Sequence, residues 1–340
     1  MISNLKVKLR TISSTSPSSS NCGVEQVQAD RGDLGGSIVE DAKGKYMLKT
    51  TNYSFKDSYG SVLLEGLKGV DLSDSRWWTR LERDVDISEV VFLDTETTGL
   101  AGGTGTMAFL VGIGFISERG FTVCQYLARD FDEEHSMLEA VINDLKIFKV
   151  LITFNGKCFD WPLLESRLIY SRLRPIQWED SHLDLLQVSR RLWGKKLSSC
   201  SLASLEKNIL HQHRTDDIPG MMIPGVYMRY LETRIAKDML RVIDHNEADI
   251  AAMAALLIRI TALYNNPKKR CDSWELFGVA RDLERSLRIK EACDSYRICA
   301  DLAEDKYLSM QAKKRMAYLL KRHSGPEAAM SIWIDVAENE

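Results

Sequence analysis

The stretch VVFLDTETTGL, residues 90–100, decides how this chain is read. An apolar run ending at Leu93 feeds straight into Asp94, and Glu96 follows two places later. Side chains alternate along a strand, so the two acids share one face. Paired negative charges at the end of a buried strand are costly unless cations or strong hydrogen bonds offset them. A divalent ion gives that offset, and oxygen ligands suit magnesium or manganese. Taken alone, the pair reads equally well as two acids at a solvent-facing strand end.

Two further acids stand in settings that suit the same chemistry. In FNGKCFDWPLL, Asn155 and Gly156 turn the chain after an apolar run, Phe159 is placed to anchor in the core, and Asp160 opens a helix. As a helix N-cap, Asp160 has a wholly local explanation; at a strand-end crevice it also suits a metal. In HNEADIAAMAALL, His245 and Asp249 are four apart and so lie on one side of a helix. The alanines after them let that helix approach a sheet closely. His245 then suits a general base and Asp249 a metal ligand; a solvated histidine beside a solvated aspartate is the plainer alternative.

Working outward, residues 87–128 read as three strands with short links, GLAGGTGT being a glycine-rich turn between the first two. Leu138, Val141, Ile142 and Leu145 recur at helical spacing, VLITF is a fourth strand, and FDWPLLESRLIYSRL runs from loop into helix. HLDLLQVSRRLW and SLASLEKNIL predict two short helices, and the long segment from Val226 to Leu263 predicts helix with a break near residues 241–246. Strands followed by helices predict an α/β layer fold, a mixed sheet flanked by helices. Gly112 and Gly114 predict close packing in the second strand rather than a dinucleotide site, and GLAGGTGT lacks the lysine of a phosphate loop. Residues 13–45 read as irregular.

The ordered combination resembles the DEDD, or DnaQ-like, exonuclease superfamily with its ribonuclease-H-like fold. Its motifs are DTETTG at 94–99, NGKCFD at 155–160 and HNEAD at 245–249. LDTETTGLAGGTGTMAFLVGIGF, HLDLLQVSRRLWG, CSLASLE and DHNEAD narrow the likeness to the bacterial YprB-like family. The resemblance covers roughly residues 85–260 and, less fully, 270–340. It implies two divalent ions, Mg2+ or Mn2+, held by Asp94, Glu96, Asp160 and Asp249, with His245 deprotonating or orienting water. Asn155 and Asp184 are expected to support those ligands, His182 to be structural, and Gly102, Gly103 and Thr104 to lie beside the terminal nucleotide. Three residues separate His245 from Asp249, whereas the histidine subclass commonly has four. The metal ligands survive that departure better than the role of His245.

This reading divides the chain into an N-terminal extension (1–84, partly disordered), a ribonuclease-H-like exonuclease domain (85–265) and a helical region (270–340). In the last, Ala280, Leu283, Ala292 and Tyr296 are echoed 37 residues later by Ala317, Leu320, Ala329 and Trp333. That echo resembles tetratricopeptide helix pairs and implies a possible protein partner. The expected activity is 3′–5′ exonuclease cleavage of single-stranded DNA or RNA. The alternatives are a catalytically weak binding module and a structure-specific endonuclease.

Across 340 residues the formal charge is −3, so no global positive field advertises a polyanion. Residues 185–241 hold ten Lys/Arg against five Asp/Glu. Arg190, Arg191, Lys195 and Lys196 are the expected phosphate contacts, with Thr97 near the acids and Trp193 read equally as base-stacking or inward-packed. His211 and His213 read as a solvated segment. The seven cysteines show no paired spacing, and no apolar run suits a leader or a span. The expectation is a cytoplasmic protein with reduced thiols and no membrane contact.

Overall fold

The alternating and apolar runs of the first half build one seven-stranded sheet. In this computed structural model, residues 33–72, 75–81, 85–99, 105–178, 180–267 and 271–339 are described. The irregular reading of residues 13–32, and the placing of Gly102, Gly103 and Thr104, lie outside them.

The strands are β1 (Ser37–Asp41), β2 (Gly44–Tyr53), β3 (Val90–Thr97), β4 (Ala108–Ser117), β5 (Gly120–Leu127), β6 (Val150–Thr153) and β7 (His182–Asp184). The main helices are α1 (Glu134–Leu145), α2 (Asp160–Tyr170), α3 (Leu185–Trp193), α4 (Ile223–Thr233) and α5 (Lys237–Asn265). Then come α6 (Ser273–Arg285), α7 (Ile289–Leu302), α8 (Lys306–Ser324) and α9 (Pro326–Asn339). Sheet order is β1-β2-β5-β4-β3-β6-β7. Strands β3 to β5 form the expected antiparallel meander, and β6 joins β3 in parallel through Val90↔Val150 to Phe92↔Ile152.

The chain divides into two compact units. The first takes in residues up to 55, 88–182 and 214–253; the second comprises 56–87, 183–213 and 254–340. Helix α5 begins in the first and ends in the second.

Within the first unit, Leu93, Phe109, Leu138, Trp161 and Tyr227 join one core beneath the sheet. Two expectations are corrected here. The irregular reading does not hold over residues 37–41 and 44–45, which are strand: β2 pairs antiparallel with β5 from Met47↔Leu127 to Tyr53↔Phe121, and β1 pairs with β2. The helical break falls at Arg234, not at 241–246. Arg234 closes α4 in the left-handed region (φ 57°), and its guanidinium donates to the Arg129 carbonyl and the Asp130 carboxylate. α5 then runs 29 residues without interruption.

Within the second unit, α6 to α9 follow one another, each packed on the next. Ala280, Ala292, Ala317 and Ala329 are fully buried, as helices in close approach require. Trp193 is fully buried too, and its indole N–H donates to Glu275 at 2.9 Å. No helix among the described residues is long and apolar enough to cross a membrane. None of the six described cysteines is in a disulfide.

Candidate active site

The acids of VVFLDTET sit where β3 outruns its partner. Parallel pairing with β6 stops at Phe92, so the Thr95 N–H on that edge is left to another acceptor. Asp160 takes it: its Oδ1 accepts from Thr95 N at 3.1 Å and from Thr95 Oγ1 at 2.6 Å. The turn that delivers Asp160 runs through Asn155 in the left-handed region (φ 66°), where asparagine is tolerated. The Asn155 carbonyl accepts from Cys158 N within that turn. Asp160 is not the N-cap expected from sequence; Phe159 holds that position, and Asp160 is the first helical residue. Nor does Phe159 anchor in the core, being 58% exposed.

On the face that carries Asp94 and Glu96, α5 lies against β4. Asp94 pairs with Gly112 across the sheet. A Cβ at Gly112 would stand 2.3 Å from Asn246 Oδ1, and one at Gly114 would stand 2.4 Å from Ile250 Cγ2. The two glycines thus let the helix sit close enough for Asn246, fully buried, to donate to Asp94 Oδ2 at 2.8 Å. Gln125 donates in turn to Asn246 Oδ1 at 3.0 Å and to the Ile243 carbonyl at 2.7 Å. Glu247, next on the helix, accepts from Lys49, Thr51 and Tyr53 of β2 at 2.8–2.9 Å. Strand β2, from the segment read as an N-terminal extension, therefore ties down the helix that completes the site.

His245 and Asp249 project from α5 as their spacing predicts, with His245 Nε2 3.7 Å from Asp249 Oδ2. His245 Nδ1 lies 2.7 Å from Asp217 Oδ1. Arg214 Nη2 donates to Asp249 Oδ1 at 2.5 Å, and its Nη1 lies 3.5 Å from His245 Nδ1 and 3.6 Å from Asp217 Oδ2. An Arg–Asp–His–Asp cluster results.

Electrostatics bind the two halves of the site together. Burial first, then the charges of Asp249, Asp160 and Glu96, raise Asp94 well above the usual carboxylate range, against the hydrogen bond from Asn246. Glu96 is raised by burial and by Asp249, Asp160 and Asp217, with Arg214 opposing. Asp160 and Asp249 thus both act on the strand pair. Among the described residues no three His, Cys, Asp or Glu side chains close into a metal cage. Arg214 engages Asp249, and Thr95 engages Asp160, while like charges disfavour closer approach. The donor set still fits a hard divalent cation: every acid is an oxygen donor, and the excess negative charge at Asp94 and Glu96 is what such an ion neutralises.

Other residues singled out from the sequence have partners of their own. Asp184 caps α3 by accepting from Leu186 N at 3.0 Å. His182 is buried and held at Thr153 Oγ1 at 2.8 Å, with its pKa lowered to about 3 by burial and by Lys157, so it is neutral and structural. The expected phosphate-binding cluster is corrected. Arg191 pairs with Asp282 at 2.7 Å and donates to the Trp78 carbonyl, Lys196 pairs with Asp272, and Lys195 lies over the Phe277 ring. With Trp193 buried, no ring face is open to a base. Arg190 alone of the group is exposed with no such partner described. Thr97, next to Glu96 on β3, donates its hydroxyl to the Gly99 carbonyl at 2.8 Å.

Sequence reading misses Asn246 and Asp217 as site residues, and it reads Arg214, like Arg229 and Arg234, only as a basic residue that could hold phosphates. Asn246 stood inside HNEAD, but its neighbour's role drew the reading to the other face. RTDD at 214–217 carried the charges, with nothing local to show which way they turn.

A family model described as RNase_H superfamily matches residues 91–261, just over half of the chain. The chain is 29% identical over 262 residues to YprB of Bacillus subtilis, an alignment covering 74% of this chain and 61% of that relative. It thus spans under two thirds of the relative it matches. Among solved structures, a family B DNA polymerase from Pyrobaculum calidifontis matches with TM-score 0.41 and 13% identity, over 67% of this chain and 29% of that one. With the matched span enclosing Asp94, Glu96, Asp160, His245 and Asp249, the chain belongs to the ribonuclease H superfamily.

Proposed function

We propose that the protein is a metal-dependent nuclease that trims single-stranded nucleic acid from the 3′ end. What supports this reading is the placing of Asp94 and Glu96 at the end of a buried strand, with Asp160 bonded to Thr95 between them, and with Asp94 held by Asn246 from the helix that carries Asp249 and an Asp217-bound His245. Asp94, Glu96, Asp160 and Asp249 would hold two Mg2+ or Mn2+ ions. Such ions activate water, orient the scissile phosphate and stabilise the leaving 3′ oxygen.

The chain's own residues perform the rest. Asp217 accepts from His245 Nδ1–H, which fixes the tautomer and turns the Nε2 lone pair toward Asp249. Nε2 takes the proton of the attacking water, and Asp217 steadies the imidazolium that forms. Asn246 fixes the rotamer of Asp94, and Thr95 that of Asp160. We read the C-terminal helices as tetratricopeptide-like pairs, supported by the buried alanines at the repeated positions.

A second reading, a nuclease fold kept as a binding module, draws on Arg214, whose guanidinium already sits on Asp249. The two part in an assay of labelled DNA and RNA with Mn2+, using strands labelled at either end and a closed circle. The expected result is stepwise shortening from the 3′ end, with D94A slower by roughly 10³-fold, the rate equivalent of about 4 kcal/mol of lost charge stabilisation. Tight binding without metal-dependent cleavage supports the module, and cutting of the circle identifies an endonuclease.

A further inference from the structure

Arg214 keeps its guanidinium on Asp249, one of the acids expected to hold metal. Its Nη2 donates to Asp249 Oδ1 at 2.5 Å, while Asp249 Oδ2 faces His245 Nε2 at 3.7 Å. The arginine thus holds Asp249 through one oxygen, short of the two-bond fork in which a guanidinium grips a carboxylate hardest. Arg167 grips Glu134 in that stronger way, with Nε on Oε1 at 2.7 Å and Nη2 on Oε2 at 2.5 Å. The charge of Arg214 also reaches across the site, since it opposes the rise at Glu96. One fixed cation therefore acts on two of the four carboxylates expected to hold metal.

A second partner stands within reach of the same side chain. Arg214 Nη1 lies 3.6 Å from Asp217 Oδ2, too far for a hydrogen bond and close enough for a side-chain shift to make one. Asp217 itself is fixed, its Oδ1 accepting from Ile218 N at 2.9 Å and facing His245 Nδ1 at 2.7 Å. The turn around it is pinned to α5 by Arg241, which donates to the Asp216 and Asp217 carbonyls at 3.2 Å each. Moving the guanidinium from Asp249 to Asp217 therefore leaves the turn and the helix in place.

The ordinary reading is a strut that relieves repulsion between the acids beside α5. A strut is best served by the fork that Arg167 makes; a carboxylate held by one oxygen, with another carboxylate waiting beside the arginine, suits exchange. Charge gives the exchange a direction. A divalent ion puts two positive charges where the guanidinium put one, whereas a monovalent ion gains nothing over it.

We infer that Arg214 is a cation gate, which keeps Asp249 until a divalent ion takes that carboxylate and then moves to Asp217. The inference rests on the metal-dependent reading of these acids, and it adds a residue that sets how tightly the ion binds.

The test is Mn2+ binding to the full chain without nucleic acid, read from the electron paramagnetic resonance signal of the free ion. The ion lost in Asp249→Asn is the one concerned. Arg214→Gln is expected to bind it about tenfold more tightly than wild type, because a competing, partly buried cation is gone, and Arg214→Lys to stay within about threefold of wild type. Asp217→Asn removes the arginine's second partner; it is expected to weaken the ion about threefold, with little effect in the Arg214→Gln background. Circular dichroism checks folding, and if Arg214→Gln does not fold, Asp217→Asn alone decides. The inference is overturned by an ion no tighter in folded Arg214→Gln, by an unchanged ion in Asp217→Asn, or by equal effects of Asp217→Asn in both backgrounds. A tighter ion in Arg214→Gln with no cleavage of oligonucleotides by any form upholds the gate and removes the nuclease reading. Cleavage by the wild type with ion affinity indifferent to Arg214 removes the gate alone. No Mn2+ bound by wild type or by Arg214→Gln removes both.

Discussion

Asp94 and Glu96 on the strand, and Asp217 and Asp249 around His245, are four carboxylates in one site handled in two ways. The strand pair has neutral hydrogen-bonding help at Asp94 from Asn246, and the fold raises both groups above the usual carboxylate range. The second pair is met by a cation of the chain itself, with Arg214 on Asp249 and near Asp217. Negative charge on β3 is thus met by the chain only in part, Arg214 opposing the rise at Glu96 from a distance, whereas negative charge beside α5 has a direct ion pair. That asymmetry predicts opposite stability effects for two substitutions that each remove a charge.

The largest is expected from Arg214→Met. It strips the guanidinium from Asp249, Asp217 and His245 and leaves partly buried carboxylates facing one another. In chelator the unfolding free energy should fall by about 2–4 kcal/mol, somewhat below the loss for a fully buried pair because the Arg214 and Asp249 side chains retain 13% and 19% exposure. An unchanged urea midpoint would show that the arginine is dispensable and that the two pairs are alike.

Next comes Asp94→Asn, with the opposite sign. Removing one of the repelling carboxylates while keeping a hydrogen-bonding side chain should raise stability in chelator by about 1–2 kcal/mol. The pH dependence follows from the direction of the shifts. A carboxylate raised in the fold keeps a proton that the unfolded chain has already released. These two groups therefore stabilise the fold most below their ordinary range, and that contribution declines as pH climbs toward the raised values. Wild-type stability in chelator should drop as pH climbs above the ordinary carboxylate range, and more steeply than that of Asp94→Asn. Magnesium should raise the wild-type midpoint more than the variant's. A variant less stable than wild type at every pH would sink the charge-repulsion account.

Much of this was legible because it is local. Alternation and apolar runs gave β3, β4, β5 and β6, helical spacing gave α1 and α2, and the four-residue step from His245 to Asp249 gave their shared face. The glycine pair in β4 was readable as close packing for the same reason. What failed depended on partners far along the chain. β2 finds β5 some seventy residues later, as in Thr50↔Cys124. Arg191, Trp193 and Lys196 meet Asp282, Glu275 and Asp272, which are 76 to 91 residues away. A local charge count therefore saw a basic patch where the fold makes ion pairs. The break at Arg234 escaped because its left-handed backbone has no glycine to announce it; the Asp130 contact that offsets its cost lies 104 residues back.

Glu247 gives the smallest expected effect and the sharpest test of how far internal compensation reaches. It stands on α5 between His245 and Asp249, and its partners Lys49, Thr51 and Tyr53 all belong to β2. Glu247→Gln keeps the volume and one acceptor oxygen but loses the charge that Lys49 answers. Hydroxyls rotate, so Thr51 or Tyr53 can accept from the new amide, and the net cost should be only about 1 kcal/mol. If β2 fixes the register of α5 over the sheet, activity should still fall severalfold, because Asn246 and Asp249 ride on the same helix. Lys49→Met should reproduce both changes, and the double variant should cost little more than either alone, as expected when two residues serve one interaction. Additive losses in that cycle would mean that β2 merely borders the site, and that the helix is held by Gly112, Gly114 and Ile250 without it.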